Sequence, residues 1–281
     1  MKALSLANQS ITIAGGRQIA YYDSQSQEKS AVSTEPAAVF LHGFCGSSAY
    51  WEQLLPIVES RARILIPDLR GHGSSSAPAD DVYEMDAFAE DLFLLLDALH
   101  IEKISLFGHS LGGYVSLAFA ERHSDRLKSL SLIHSTAKPD SEEAKKNRDK
   151  AAAALQDGGI DPFVNGLVPK LFAPAHLESM KESVQRIIDI GSGTSAAGAA
   201  ATAFGMKARP DRTAMLDELQ IPLLLIAGSE DGVIPVENTF TANGPHVSQV
   251  LISGAGHMSM VEEPAELGKQ VSAFISFLST I

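Results

Sequence analysis

A serine sits among glycines in the run Gly108-His109-Ser110-Leu111-Gly112-Gly113. An apolar segment, Ile104 to Phe107, leads directly into it, and a helical pattern, Tyr114 to Glu121, leads directly out. Gly-x-Ser-x-Gly at a strand-to-helix junction makes a sharp, strained turn that lifts the hydroxyl clear of the sheet. The following helix aims its unsatisfied N–H groups at the place where negative charge would develop. That arrangement suits attack on an acyl carbonyl. A serine hydroxyl is a weak nucleophile alone: it needs a base, and the base needs an orienting acid. The rest of the chain should therefore supply a histidine and a carboxylate.

The elements that must position such groups can be read from periodicity. Leu4 to Ile13 and Gln18 to Tyr22 alternate around Gly15-Gly16 and predict a β-hairpin. Ser24 to Glu35 is polar and predicts a surface loop. Strands are expected at Ala37 to Leu41, Arg63 to Ile66, Lys103 to Phe107, Leu127 to Ile133, Pro222 to Ala227 and Val247 to Ile252. Helices are expected at Ala49 to Ser60, Asp86 to His100, Leu111 to His123 and Val261 to Leu278. Phe88, Leu92, Leu95, Leu96 and Leu99 show the 3.6-residue period of a buried helix face. From Ser135 to about Leu219 no strand pattern occurs, and three or four helices are expected. Strand–helix alternation predicts a mostly parallel sheet covered on both faces. Reactive residues then gather just beyond the C-terminal strand ends.

Candidate motifs occur at those ends. His42-Gly43-Phe44-Cys45-Gly46 follows one strand and the serine run follows another. Gly228-Ser229-Glu230-Asp231-Gly232 and Gly254-Ala255-Gly256-His257 follow the last two. The order is Ser110, Asp231, His257. From about Ile19 to Leu278 the chain resembles an α/β-hydrolase fold enzyme. The loop Asp68-Leu69-Arg70-Gly71-His72-Gly73-Ser74-Ser75 also resembles one frequent in that family. The resemblance implies a core of residues 1–134 and 220–281, with residues 135–219 as an inserted helical cap. It implies Ser110 as nucleophile, His257 as general base and Asp231 as the acid that orients it. The backbone N–H groups of Phe44 and Leu111 would form the oxyanion hole, so Phe44 can be apolar.

Other residues receive lesser roles. Phe44, Trp51, His134, Phe172, Phe204 and Met258 are expected to line a substrate pocket. Phe163, Leu167, Leu171, Met180 and Met206 are expected mainly to pack the cap. His42 should order the oxyanion loop, while His72 and His109 shape their turns. Asp68 and Arg70 are expected to pair with each other. Cys45 lacks a base of its own and is expected to be a small packing residue. The Gly191 to Ala203 run, almost all Gly, Ala, Ser and Thr, is expected to allow close helix contact. No histidine and carboxylate pair has metal-ligand spacing along the chain, so no metal and no cofactor are expected.

Bulk properties narrow the function classes. A net charge of −12 opposes binding to nucleic acid or an anionic membrane surface. The 281 residues suit one large α/β unit with an insertion. The single cysteine forbids an internal disulfide. Met1 to Gln9 lacks the apolar stretch of a signal peptide, and no apolar segment approaches the ~20 residues of a membrane span. A cytoplasmic protein is expected.

The resemblance also orders the reactions. Haloalkane dehalogenases and epoxide hydrolases of this family carry aspartate where Ser110 stands. Many carbon–carbon bond hydrolases of aromatic degradation carry Gly-Asn-Ser-Met-Gly-Gly and a tryptophan after the catalytic histidine; here the elbow differs and Met258 follows His257. Carboxylesterases and enol-lactonases match better, with a small, partly apolar ester or lactone as substrate. Cofactor-free haloperoxidases share the three groups. Carbon–carbon bond hydrolysis is the alternative reaction. A ligand receptor without turnover is the alternative of another class, and a broken triad would be its mark.

Overall fold

The computed structural model describes residues 4–25 and 36–280. Most of the expected Ser24 to Glu35 loop lies outside the described residues. The strands are β1 (Gln9–Thr12), β2 (Gln18–Asp23), β3 (Ala37–Leu41), β4 (Ile64–Pro67), β5 (Ile104–His109), β6 (Leu127–Ile133), β7 (Leu223–Gly228) and β8 (Val247–Ile252). They form one sheet in the order β1-β2-β4-β3-β5-β6-β7-β8. The β1–β2 and β2–β4 pairs are antiparallel; all pairs from β4 to β8 are parallel. The result is an eight-stranded, mostly parallel sheet flanked by helices, the architecture that the resemblance implies.

Strand alternation divides the core into two layers, because successive side chains point to opposite faces. Val39, Leu41, Leu106, Leu130, Leu132 and Leu225 pack on one face. Helices α2 (Met85–Ala98) and α3 (Leu111–His123) cover it. Phe40, Ile66, Phe107, Ile133, Leu224 and Ile226 pack on the other, under α12 (Pro264–Leu278). Strands buried on both faces read as continuous apolar runs, as these do.

Two expected helices are broken. Residues 49–60 hold a single 3-10 turn, Ser48–Trp51, and then α1 (Leu55–Val58). Pro56 lies at the start of α1 and cannot donate the N–H that a continuous helix needs. Pro264 acts the same way, separating α11 (Ser259–Glu262) from α12.

Between β6 and β7 lie six helices, not three or four. They are α4 (Glu142–Gly158), α5 (Ile160–Leu167), α6 (His176–Ser179), α7 (Lys181–Gly191), α8 (Ala196–Ala208) and α9 (Thr213–Glu218); α10 (Val236–Thr239) follows β7. Gly159, at φ 77°, separates α4 from α5, and Pro169 and Pro174 keep α5 from running on into α6. The Ala/Gly run forms α8, which lies hard against the loops beyond β4. A Cβ on Gly198 would stand 2.9 Å from the Gly71 Cα. Among the described residues no helix is long and apolar enough to cross a membrane.

Candidate active site

β5 ends at His109, and α3 begins at Leu111. Ser110 between them has φ 51°, ψ −113°, a left-handed backbone that costs a non-glycine residue on the order of 1–3 kcal/mol. Its neighbours over-determine that strain. The Ser110 N–H donates to the Ile133 carbonyl (3.0 Å), and its carbonyl accepts from Ser135 Oγ (2.8 Å). The turn closes only because its flanks lack side chains. A Cβ on Gly108 would meet the Gly112 carbonyl at 2.4 Å, and one on Gly112 would meet the Leu41 carbonyl at 2.5 Å. Gly112→Ala is expected to cost about 1–3 kcal/mol by forcing β3 from α3. Urea unfolding measures it, and an unchanged midpoint would show that the elbow tolerates a Cβ.

The loop after β3 lies against this elbow. The Cβ position of Gly43 is 3.4 Å from the Ser110 Cβ, so Phe44 arrives beside the serine. The Phe44 N–H has no acceptor among the described residues, and the Leu111 N–H, first in its helix, precedes the helical ladder. His42 steadies the loop as expected. Its Nε2 accepts from the Leu69 N–H (2.9 Å), and its Nδ1 meets the Gly43 carbonyl (2.8 Å). Burial lowers the His42 pKa from 6.5 to about 4, so the ring is neutral. Burial also pushes the Cys45 thiol far above its usual range, so it is no nucleophile.

His257 is held from three sides. Its N–H donates to the Leu171 carbonyl (2.7 Å), and its carbonyl lies 2.9 Å from His109 Nε2. Its Nδ1 is 2.8 Å from Asp231 Oδ2. A carboxylate only accepts, so Nδ1 carries the proton and Nε2 keeps a lone pair. The His257 ring lies 5.0 Å from the ring of His109, the residue before Ser110. Among the described residues no hydrogen bond joins Ser110 Oγ to His257.

Asp231 is saturated. Oδ1 accepts the N–H groups of Val233 (2.8 Å) and Ile234 (2.9 Å). Oδ2 accepts from His257 Nδ1 and also from His134 Nδ1 (3.0 Å). Burial alone would raise its pKa; the neighbouring His257 and the two imidazole hydrogen bonds outweigh that and hold the carboxyl well below the usual range. Asp231, His134 and His257 bring nitrogen and oxygen atoms within 4.8 Å of one another. Each Nδ1 faces the shared oxygen, which gives each ring a proton to donate there.

The expected pocket residues divide. Phe44 and Phe204 are half-buried. Phe44 meets Phe163 of α5 edge-on at 5.9 Å between ring centres. Trp51, His134 and Met258, in contrast, are wholly buried, and Phe172 nearly so. Trp51 packs on Phe40 behind the elbow (5.2 Å), and the His134 ring is occupied at both nitrogens. These four belong to the packed wall rather than to an open surface.

The expected Asp68–Arg70 pair does not form. Arg70 bonds Asp91 on α2 (2.6 Å). Asp68 instead accepts from the Ser48 and Ser74 N–H groups (2.7 and 2.8 Å), bracing the loops beyond β3 and β4. The backbone at Gly73, where a Cβ would stand 2.3 Å from Asp68 Oδ2, brings that side chain to amides instead.

Sequence reasoning passed over Ser259 and Glu262. Ser259 Oγ lies 2.7 Å from His134 Nε2. The Glu262 carboxylate accepts from the Met258 N–H (3.0 Å), the Ala173 N–H (2.8 Å) and His176 Nδ1 (2.8 Å), tying the segment after α5 to the loop that carries His257. The only linear signal for either was its place within five residues of His257.

A family model described as alpha/beta hydrolase fold matches residues 36–174. The chain is 28% identical over 240 residues to 3-oxoadipate enol-lactonase 2 of Acinetobacter baylyi, covering 85% of this chain and 88% of that protein. It is similar to the structure of a thermophilic esterase from Thermogutta terrifontis, with TM-score 0.86, 30% identity and coverage of 96% and 98%. The enol-lactonase of Burkholderia xenovorans shares the fold, with TM-score 0.85, 23% identity and coverage of 95% and 100%.

Proposed function

Since the chain belongs to the α/β-hydrolase fold superfamily, in its esterase and enol-lactonase-like branch, we propose that it is a serine hydrolase of small, partly apolar carboxylic esters or lactones. The observation that carries this reading is the 2.8 Å Asp231–His257 bond, which leaves the Nε2 lone pair free on a ring packed 5.0 Å from His109, the residue before the serine on its strained turn. Substrate closes the Ser110–His257 bond; such bonds are often long in the free enzyme and tighten on binding. Ser110 Oγ attacks the acyl carbon while its proton passes to His257 Nε2. The Phe44 and Leu111 N–H groups stabilise the oxyanion, each worth about 3 kcal/mol in enzymes of this type. His257 returns the proton to the leaving alkoxide, and an acyl-Ser110 remains. Water, deprotonated by the same nitrogen, attacks that ester and frees the acid and the serine.

Residues 135–219 act as a cap over a core of residues 1–134 and 220–281. Phe44, Phe163 and Phe204 supply the apolar contacts to the acyl or alcohol group. The substrate's orientation rests on these rings, because the other pocket candidates are buried in the wall.

A panel of p-nitrophenyl esters of increasing acyl length, a small enol-lactone and a dienone acid tests this reading. Short esters or the lactone should turn over at least about tenfold faster, by kcat/KM, than the dienone acid, a difference of 1.4 kcal/mol in transition-state binding. Preference for the dienone acid would transfer the site to carbon–carbon bond cleavage. Binding with no turnover of any of them would favour a receptor.

A further inference from the structure

Asp231 is shared by two imidazoles, and the reaction above uses only one. We infer that His134 is a positioning residue: its Nδ1–H bond to Asp231 Oδ2 tempers that oxygen's negative charge and thereby tunes the basicity of His257. The inference rests on the serine hydrolase reading for its catalytic consequence but not for its geometry.

The backbone is bent to deliver this ring. His134 follows the last residue of β6 at φ 49°, one of the four non-glycine residues with positive φ among the described residues. Its N–H still holds the Ile226 carbonyl of β7 (2.8 Å), so the strand pairing continues while the side chain turns toward the acid beyond β7. Histidine is among the residues that accept this backbone region more readily. The ring has no solvent exposure. Its tautomer is dictated by its partners: a carboxylate at Nδ1 demands a proton there, and Nε2 then accepts from the Ser259 hydroxyl at 2.7 Å. A neutral donor thus sits permanently on the oxygen that must stabilise the His257 imidazolium.

The other groups facing His134 come from three directions. His109 at the elbow lies 6.0 Å away between ring centres, His257 5.6 Å, and the Glu262 carboxylate of α11 acts on it through space. Burial keeps His134 neutral against the pull of Asp231. Removing its N–H leaves Asp231 Oδ2 with one donor. The carboxylate then binds the His257 imidazolium more strongly, and the His257 pKa rises. The acid limb of kcat/KM should move to higher pH.

His134→Leu removes the donor, and His134→Asn replaces it with an amide N–H. Ser259→Ala frees Nε2 without touching Asp231. The expected result for His134→Leu is an acid limb about 0.5–1 pH unit higher, with kcat down on the order of tenfold and KM unchanged. His134→Asn should restore most of both, and Ser259→Ala should produce a smaller shift of the same sign. His257 is also titrated by NMR in the Ser110→Ala background, where no turnover is needed, and should show the same rise. Should His134→Leu not fold, the Asn and Ala variants decide. An unaltered His257 titration in every folded variant overturns the inference. So does a His134→Asn protein as impaired as His134→Leu. A raised His257 titration without hydrolysis of any ester or lactone would sink the hydrolase reading and leave this one standing.

Discussion

Ser110→Ala is expected to lower kcat for p-nitrophenyl acetate by at least about 10⁴-fold while leaving the fold intact. Loss of a nucleophile in a serine relay costs on the order of 10⁶ in kcat, and what survives comes from the oxyanion site and binding. The fold should tolerate the change because its hydroxyl makes no hydrogen bond among the described residues. What anchors this position is its backbone, through Ile133 and Ser135, and alanine keeps those bonds. Alanine adds no bulk at a left-handed position already occupied by a side chain. In the proposed mechanism the acyl group is held by rings rather than by the hydroxyl, so KM should change little. A fluorophosphonate probe should label the wild type once, at Ser110, and not label the variant. Retained turnover with an intact fold would remove the serine from the mechanism, and labelling elsewhere would name another nucleophile.

A second large effect should appear in stability below neutral pH. Four histidines lie fully buried in and behind the site, and burial is the first cause of the lowered pKa in each. His42 falls from 6.5 to about 4 and His72 from 6.5 to about 3. His109 and His134 are lowered as well, by burial and by neighbouring imidazoles. The unfolded chain protonates all four near 6.5. Between that pH and the folded values the unfolded state binds more protons, so stability falls as pH falls. His42 and His72 each cost about 3 kcal/mol by pH 4, at 1.36 kcal/mol per pKa unit. Total stabilities of about 5–15 kcal/mol leave little room for that loss. The depressed Asp231 works in a different window, contributing stability above about pH 3.9 that is lost only on further acidification. Urea midpoints at pH 7.5, 6.5, 5.5 and 4.5 should therefore fall, with most of the loss below 6.5. A midpoint constant from 7.5 to 4.5 would mean that these rings are charged in the folded protein.

The two effects meet in one place. The Asp231 bond fixes the His257 proton on Nδ1 and leaves Nε2 its lone pair, while burial makes the surrounding rings intolerant of protons. His109 and His134 occupy the same dry space as Asp231 and His257, with His109 Nδ1, against Gly43, lacking a hydrogen-bond partner among the described residues. A site built this way should lose its architecture in acid before Asp231 itself takes up a proton.

Much of this molecule could be read along the chain, for physical reasons that are local. Parallel strands buried on both faces must be continuously apolar, so β3, β5, β6 and β7 announced themselves. The elbow was legible because Gly108 and Gly112 sit where backbone passes within 2.4–2.5 Å of any added Cβ. The positions of Ser110, Asp231 and His257 beyond strand ends were legible, because strand periodicity stops just before each, and the Asp231–His257 contact follows from the pairing of β7 with β8. The proline breaks at Pro56 and Pro264 are equally local, but the helical periodicity around them masked the missing N–H. What the residue order left open was every choice made between segments far apart. Arg70 faces Asp91 rather than Asp68 because α2 packs beneath that loop, and no spacing records the contact. His134 is 97 residues from Asp231, and its role exists only because β6 and β7 are neighbours and a left-handed residue turns one ring across the gap. Local chemistry along the chain marked which groups are equipped to react; tertiary packing decided which partners set their charge, because burial and distance belong to the folded chain alone.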